Sequence, residues 1–457
     1  MRSLLTRTIN RQKMENYPKM PNGLLLTEEF KKAYDLLEHT KEFVFLTGDA
    51  GSGKTTFLKW WLSNTSKKTV VLSPTGMGAV NLLPIKASTV HKFFKFGNKP
   101  LFTSNIPRLS SQKYKENRQL YLNVDTIIID ECSMVSSMMM QAIDDFYRIN
   151  FDSDEPFGGK QIVLVGDMAQ LPPVIGSDAE RQYTKDRFGG KYFFDASIFK
   201  EVSIKFVEFT EIFRQNDPEF IGYLNKIRTG TITQSDIIKL NDIFTSNKVS
   251  DDAMVISFRN DVVDMINDYK LNEIKAEDVF LYSSINGFFN PKSCPVKEIT
   301  RVRPGCRIMC RNNDKDERWV NGTIAKFVKK VSDEKIIIEL EGGDKQIMEK
   351  VEFTDSKFEY NSKTGEIEAK ETSSMTCFPI VVSYAMTAHK SQGITLDEVK
   401  IDIGKGAFDT GQLYVALSRC RSMQGIQLIS NMSIRDVKVD DKIYEFYKKM
   451  RENNGIL

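Results

Sequence analysis

Histidine is nearly absent from this chain: His39, His91 and His389 are the only three in 457 residues, and they stand far apart. A transition-metal centre built on imidazole would need ligands from three remote places, so that chemistry is set aside. Cysteine is also sparse. Its six positions (132, 294, 306, 310, 377, 420) are mostly isolated, and Cys306 with Cys310 lacks the C-x-x-C spacing of redox or zinc sites. Reduced thiols and a cytoplasmic setting are expected, nucleoid-associated in a bacterium. No uncharged apolar run approaches the roughly 20 residues of a membrane span, and the N-terminus lacks a secretory signal's apolar core, so no membrane partner is expected. An excess of one charge is missing too. Lys plus Arg number 64 against 61 Asp plus Glu, a net of +3, which excludes a histone-like polycation. A polyanionic partner must meet local basic patches.

What is present is a foldable, multi-unit chain. Hydrophobic residues are 41% and aromatics 11%, enough for sizeable cores, and the length suggests about two to four compact units. Residues 1–23 carry Arg2, Arg7, Arg11, Lys13 and Lys19 against Glu15, then Pro21, Asn22 and Gly23. They read as a mobile basic arm, with a transit peptide as the alternative. From residue 24 short apolar runs alternate with helical segments: 43–48, 70–73, 126–130, 162–167, 254–258, 379–384, 399–404 and 426–430. Runs this short, without clear alternation, suit parallel strands covered on both faces, and their number fits two α/β lobes. Two stretches break the pattern. Residues 97–123 are polar and basic, and 296–376 hold four β-rich runs punctuated by Asn321-Gly322 and Gly342-Gly343, the texture of a small β-barrel. Residues 436–457 pattern as an amphipathic helix.

Three motifs carry chemistry. GDAGSGKT (48–55) fits G-x-x-x-x-G-K-[ST] between a strand and a helix. Gly48, Ala50, Gly51, Ser52, Gly53, Lys54, Thr55 and Thr56 are therefore the expected phosphate cradle, with Lys54 reaching the β/γ-phosphates and the Thr55 hydroxyl available to Mg²⁺. TIIIDECSMV ends a buried strand with Asp130, the natural Mg²⁺ holder, and Glu131, placed to polarise a water. VGDMAQLPPV puts Gln170 where it can sense a γ-phosphate. ATP is expected rather than GTP, because Asn247-Lys248 is followed by Val249-Ser250 and no N-K-x-D base reader exists.

In chain order, GDAGSGKTT, SPTGMGAVN, STVHKFF, IIIDECSMV, VGDMAQLPPV, TEIFRQ, AMTAHKSQGITLDEV and GQLYVALSRCRS closely resemble the motif series of superfamily 1B DNA helicases, over about residues 25–430. EIFRQNDPEFIGYLNKIRTG (211–230) is similar to the PIF family (petite integration frequency), with RecD-like helicases as more distant relatives. The resemblance implies an α/β fold of two RecA-like P-loop lobes with parallel sheets, a small basic insert in the first and an SH3-like β-barrel in the second. The implied boundaries are 1–24 for the arm, 25–95 and 124–205 for the first lobe, 96–123 for a wedge-bearing insert, 206–295 and 377–435 for the second lobe, 296–376 for the barrel and 436–457 for the C-terminal helix.

It also implies ATP-driven 5′-to-3′ movement on single-stranded DNA with duplex unwinding. Arg214 and Arg419 are the arginines expected at the γ-phosphate. Thr75, Gly76, His91, Thr387, His389 and Lys390 are expected on the DNA backbone, with Gln392 and Gly393 coupling strand to nucleotide. Expected substrates are forked or 5′-tailed duplexes, with G-quadruplexes and RNA–DNA hybrids also compatible; a monomer is the expected state, and repair, recombination and telomere maintenance are compatible roles. Trp319 and Tyr114 are expected to pack inside the inserts, with base stacking or junction splitting as the alternative. Phe93, Phe94, Phe96, Tyr192, Phe193 and Phe194 are expected in the core. One position departs from the family's L-[ST]-x-x-Q pattern: Leu26-Thr27-Glu28-Glu29 is followed by Phe30, not by a glutamine that reads adenine. Two other functions stand beside the helicase: an ATP-gated DNA-binding remodeller that never unwinds, and a small-molecule P-loop kinase, which would leave Arg419, His389 and Lys390 unexplained.

Overall fold

A computed structural model describes residues 17–20, 25–74, 87–97, 100–109, 115–215, 217–289, 294–316, 318–319, 321–361 and 366–455, without the side chains of 115–117 and 355–372. Most of the basic arm, Thr75, Gly76 and Tyr114 lie outside the described residues.

Six parallel strands form the first sheet: β1 (Phe43–Gly48), β2 (Thr69–Ser73), β3 (Ala87–Thr89), β4 (Thr126–Ile129), β5 (Gln161–Val165) and β6 (Ile204–Phe209), in the order β3-β2-β4-β5-β1-β6. β4 and β5 are buried at every position and β1 at all but its first, as strands covered on both faces must be. β4, β5 and β1 are consecutive neighbours, so the loops at their carboxyl ends stand side by side. Those loops carry Asp130-Glu131, Asp167 and the glycine-rich turn. The crevice outside the carboxyl ends of such a sheet is where ligands bind in open α/β folds.

The second lobe holds a parallel sheet β18-β7-β19-β20, made of β7 (Met254–Ser257), β18 (Ala385–Thr387), β19 (Val399–Asp402) and β20 (Ile426–Leu428). Of the eight apolar runs, 379–384 is placed differently from its expectation. Its Ile380–Val382 strand, β17, pairs antiparallel with β11 (Arg307–Cys310), and the lobe strand is the next segment, β18. A short apolar run buried in a barrel has the same signature as one buried in a parallel sheet, so composition could not separate them.

The barrel sheet runs β14-β13-β12-β11-β17, with β12 (Ile324–Lys330), β13 (Lys335–Leu340) and β14 (Lys345–Glu349). Pairing extends beyond 296–376 on the N-terminal side as well: β8 (Val279–Tyr282) pairs with β10 (Ile299–Val302), and β9 (Ser284–Asn286) pairs with β16. β15 (Val351–Asn361) and β16 (Glu366–Cys377) form a long hairpin, and β15 runs beside the helix Lys115–Asn123 of the first lobe's insert. Trp319 is packed inside the barrel core, its Nε1 donating to Asn312 Oδ1 at 3.2 Å. Of the aromatics expected in the core, Phe93, Phe94, Phe96, Tyr192 and Phe193 are buried and Phe194 is partly buried.

Two chain ends fasten the first lobe. Tyr17 Oη donates to Asp35 Oδ2 at 2.9 Å and Trp60 Nε1 donates to the Lys19 carbonyl at 3.2 Å, so Tyr17 and Lys19 of the basic arm are tied to the lobe. The helix Asp441–Asn453 buries Ile443, Phe446, Tyr447 and Met450, the i, i+3, i+4, i+7 face of its pattern, in the core of the first lobe, although it follows the second in sequence. Phe446 stacks on Phe194 with ring centroids 4.1 Å apart.

Candidate active site

The glycine-rich turn leads from β1 into the helix Lys54–Leu62, whose N-cap, Gly53, has φ 84°. At Gly51, φ is 89°, and an added Cβ would collide with the Cβ of Arg214, so the linker to the second lobe lies directly on the turn. Phe213 N donates to the Gly51 carbonyl at 2.9 Å in the same contact. Lys54 Nζ donates to the carbonyls of Gly48 (2.7 Å) and Asp49 (3.0 Å) and to Ser52 Oγ (3.4 Å). Burial lowers the pKa of this ammonium, against the pull of Asp167, Glu131 and Asp49.

A cavity of about 540 Å³ opens on this turn. Its lining includes Lys54, Thr55, Asp130, Glu131 and Gln170 from the first lobe and Arg214 and Arg419 from beyond it. Burial together with the neighbouring Glu131 pushes Asp130 up to about 7, and burial likewise raises Glu131 against Lys54 and Arg419. Two half-buried acids side by side, with the exposed Thr55 hydroxyl on the same cavity, are a hard-oxygen set that fits a small divalent cation. Among the described residues no cluster of three His, Cys, Asp or Glu would hold a metal by itself, so the remaining ligands must come from substrate and solvent. Glu131 has φ 54° and ψ 44°, a left-handed conformation costing a non-glycine residue on the order of 1 kcal/mol.

Arg419 is 1% exposed. Its Nε donates to the Val415 carbonyl (2.9 Å) and its NH2 to Ser418 Oγ (2.8 Å), while NH1 reaches the carbonyls of Ser391 and Ile394 at 3.4 Å each. Burial and the nearby Arg214 push its pKa down to about 9, still protonated at neutral pH. Arg214 NH1 donates to the Ser418 carbonyl at 3.4 Å, tying the two arginines to one turn. The lobes also meet through Gln392 Nε2, which donates to Gln170 Oε1 at 3.4 Å, and at Gly411, where a Cβ would lie 2.5 Å from the Gln170 carbonyl.

The residues expected on the DNA backbone are grouped less tightly. His389 lines a second cavity of about 430 Å³ with Pro173, Val174, Lys191 and Phe408, and burial lowers its pKa. Lys390 is exposed. Thr387 is buried, with Oγ1 accepting from Lys390 N at 3.3 Å, so its hydroxyl fixes the loop. His91 is partly buried, edge-on to Phe96, and its pKa is lowered by burial.

Sequence reasoning missed a buried network behind the phosphate turn. Arg228, on the helix Pro218–Thr229, is bonded through NH2 to Asp167 Oδ1 (3.0 Å), lies 3.1 Å from Asp49 through Nε, and rests over the Tyr447 ring at 5.2 Å. Tyr447 Oη accepts from Met168 N at 3.0 Å and lies 2.9 Å from Thr47 Oγ1. Tyr414 Oη accepts from Ala50 N at 3.1 Å. Burial would raise Asp167, but Arg228 and Lys54 outweigh it and hold the carboxyl below its ordinary range. Asp49, Asp167, Arg228 and Tyr414 stand inside motifs read above, but no local pattern pairs them with one another or with Tyr447 across five distant segments. Arg228→Ala strands two acids and is expected to cost about 3–5 kcal/mol of stability, read as a lower denaturation midpoint at unchanged m-value. An unchanged midpoint would show that the network carries no weight.

The PIF1-like helicase family model matches residues 25–237. ATP-dependent DNA helicase Pif1 of Bdellovibrio bacteriovorus is 30% identical over 432 residues, covering 93% of this chain and 92% of that protein. The crystal structure of Bacteroides sp Pif1 in complex with ADP-AlF4 superposes with TM-score 0.83 at 32% identity, covering 94% of this chain and 98% of that one. Bacteroides Pif1 bound to ssDNA superposes with TM-score 0.70 at 33% identity and the same coverage.

Proposed function

We propose, from the premise that this chain belongs to the PIF1-like helicase family and is an ATP-dependent DNA helicase, that it moves 5′ to 3′ along single-stranded DNA and separates forked or 5′-tailed duplexes ahead of it. The observation that carries this reading is the composition of the 540 Å³ cavity, whose amine and acids come from one lobe and whose two guanidiniums come from beyond it. A triphosphate held there draws the lobes together, and its cleavage releases them.

Each residue then has a physical task. The backbone amides of the glycine-rich turn and Lys54 hold the phosphates, which compete for the ammonium with two carbonyl oxygens. Thr55 and Asp130 would hold Mg²⁺, which supplies neutralising charge to the β- and γ-phosphates. Glu131, kept in place by its left-handed backbone, orients the attacking water. Arg214 and Arg419 neutralise charge that grows on the transferring phosphoryl group. The Gln170–Gln392 contact passes the change to the loop that carries His389 and Lys390, whose contacts with phosphates give salt-sensitive and sequence-tolerant binding.

The deciding experiment is ATP-dependent strand separation of duplexes bearing a single 5′ or a single 3′ tail. Unwinding of the 5′-tailed substrate alone is expected. Equal unwinding of both, or of the 3′-tailed one alone, refutes the polarity, and DNA-stimulated ATPase activity without unwinding of either favours a remodeller.

A further inference from the structure

The cavity is larger than a triphosphate requires, and its far end is built from apolar side chains. Beyond Thr56 and Lys59 it is walled by Leu25, Phe30 and Phe213. Phe30 is 3% exposed and braced by Phe57 (5.2 Å) and Phe209 (4.8 Å). Its ring tip and the edge of Phe213 each lie 3.3 Å from where a Cβ on Gly53 would stand, so the two rings flank the end of the phosphate turn. Phe213 and Leu25 are exposed, at 44% and 71%, and offer bare apolar surface to whatever enters. A nucleoside triphosphate anchored through Gly48–Thr55 has its ribose and base on this side, past the first turn of the helix.

Among the described residues, several polar groups near those rings are engaged elsewhere. Thr27 Oγ1 accepts from Phe30 N at 3.1 Å, and Glu29 Oε1 accepts from Thr210 Oγ1 at 2.8 Å. Across the cavity, Asn312 spends both ends of its amide within the barrel: Oδ1 accepts from Trp319 Nε1 and Nδ2 donates to the Asn313 carbonyl at 3.1 Å. Asn313 Oδ1 accepts from Asn321 N at 2.8 Å.

We propose that the nucleobase is held by stacking and van der Waals contact against Phe213 and Leu25, with the buried Phe30 ring behind them, so that this motor hydrolyses ATP, GTP, CTP and UTP with little discrimination among them. The inference rests on the reading of this cavity as the triphosphate site. Strong rejection of a wrong base, 10⁴-fold or more, needs a fixed donor or acceptor at the base edge, whereas apolar pockets discriminate by roughly 10- to 200-fold. Stacking is tolerant because every base presents a π-face, with purines favoured by their larger area. Only the phosphate end is then selective.

The test is steady-state hydrolysis of the four triphosphates by the full chain at saturating single-stranded DNA. The expected kcat/KM values span about tenfold, purines above pyrimidines. Phe213→Ala is expected to raise KM for all four by a similar factor, about three- to tenfold, with kcat nearly unchanged. Its side chain is already exposed, so the variant should fold. Asn313→Ala is expected to leave the ratios alone. A wild-type preference for ATP over GTP above 10³-fold, a Phe213→Ala effect confined to ATP, or loss of base preference in Asn313→Ala would each overturn the proposal. Lys54→Ala separates the two levels of the argument. If that variant hydrolyses all four as the wild type does, the cavity is not the triphosphate site; if it hydrolyses none, the ratios alone judge the base.

Discussion

Lys54→Ala is expected to lower ATP turnover by at least about 10³-fold while leaving affinity for single-stranded DNA within about twofold. The ammonium stands at the mouth of the glycine-rich turn and is the cation that Asp49, Glu131 and Asp167 face in common. Its removal subtracts a positive charge from the place where the γ-phosphate must sit. It also deprives these three acids of a counter-charge, which favours their protonated forms and so weakens the base-like role of Glu131. Of the strand-binding candidates, His389 lines a different cavity and Lys390 is the exposed residue beside it, both outside the first lobe, so DNA affinity should survive. Turnover measured beside fluorescence anisotropy of a labelled oligonucleotide checks both halves. A variant with wild-type ATPase activity would remove the glycine-rich turn from the mechanism.

Arg419→Ala is expected to reduce kcat by about 10³- to 10⁵-fold with nucleotide affinity changed only modestly, because the contribution of a guanidinium at a phosphoryl group grows as charge develops on it. The structure adds a second consequence. Arg419 is clamped by the Val415, Ser391 and Ile394 carbonyls and by Ser418 Oγ, so truncation leaves buried acceptors without a donor, at about 1–3 kcal/mol. Arg419→Lys separates the effects. A lysine keeps a charge but not the fork, so kcat should stay low even where stability recovers. Single-turnover hydrolysis with a thermal melt of each variant reads the two quantities apart, and a loss confined to nucleotide binding would refute the role.

Much of the site was legible before any coordinates, for a reason particular to parallel α/β sheets. β1, β4 and β5 are buried at all but one position and mostly apolar because both faces are covered, and the candidate site residues follow directly at their carboxyl ends. A polar cluster after an apolar run is therefore a site marker readable along the chain. The arginines were a different matter. Arg419 is buried at the end of the helix Gln412–Leu417, and only the motif resemblance singled it out. Arg228 lies in the 211–230 stretch that carries the resemblance but was given no role there, and its partners Asp49, Asp167 and Tyr447 belong to three other segments.

The amphipathic face of the last helix was equally readable, but its destination was not. Periodicity says which side chains are buried and nothing about the surface that buries them; here it is the first lobe, reached across the second. The same ambiguity moved Ile380–Val382 from the lobe to the barrel.

From the order of residues alone came the phosphate turn, the acids beside it, most of the lobe strands and the family resemblance, since each is a local pattern set by strand burial or by backbone needs at a turn. Only the three-dimensional arrangement decided that two guanidiniums reach the amine's cavity, that a tyrosine from the last helix closes behind the turn, and that aromatic rings line the cavity beside Gly53. Those are contacts between segments hundreds of residues apart, made by packing and charge, and such pairings leave no periodic trace in a single chain.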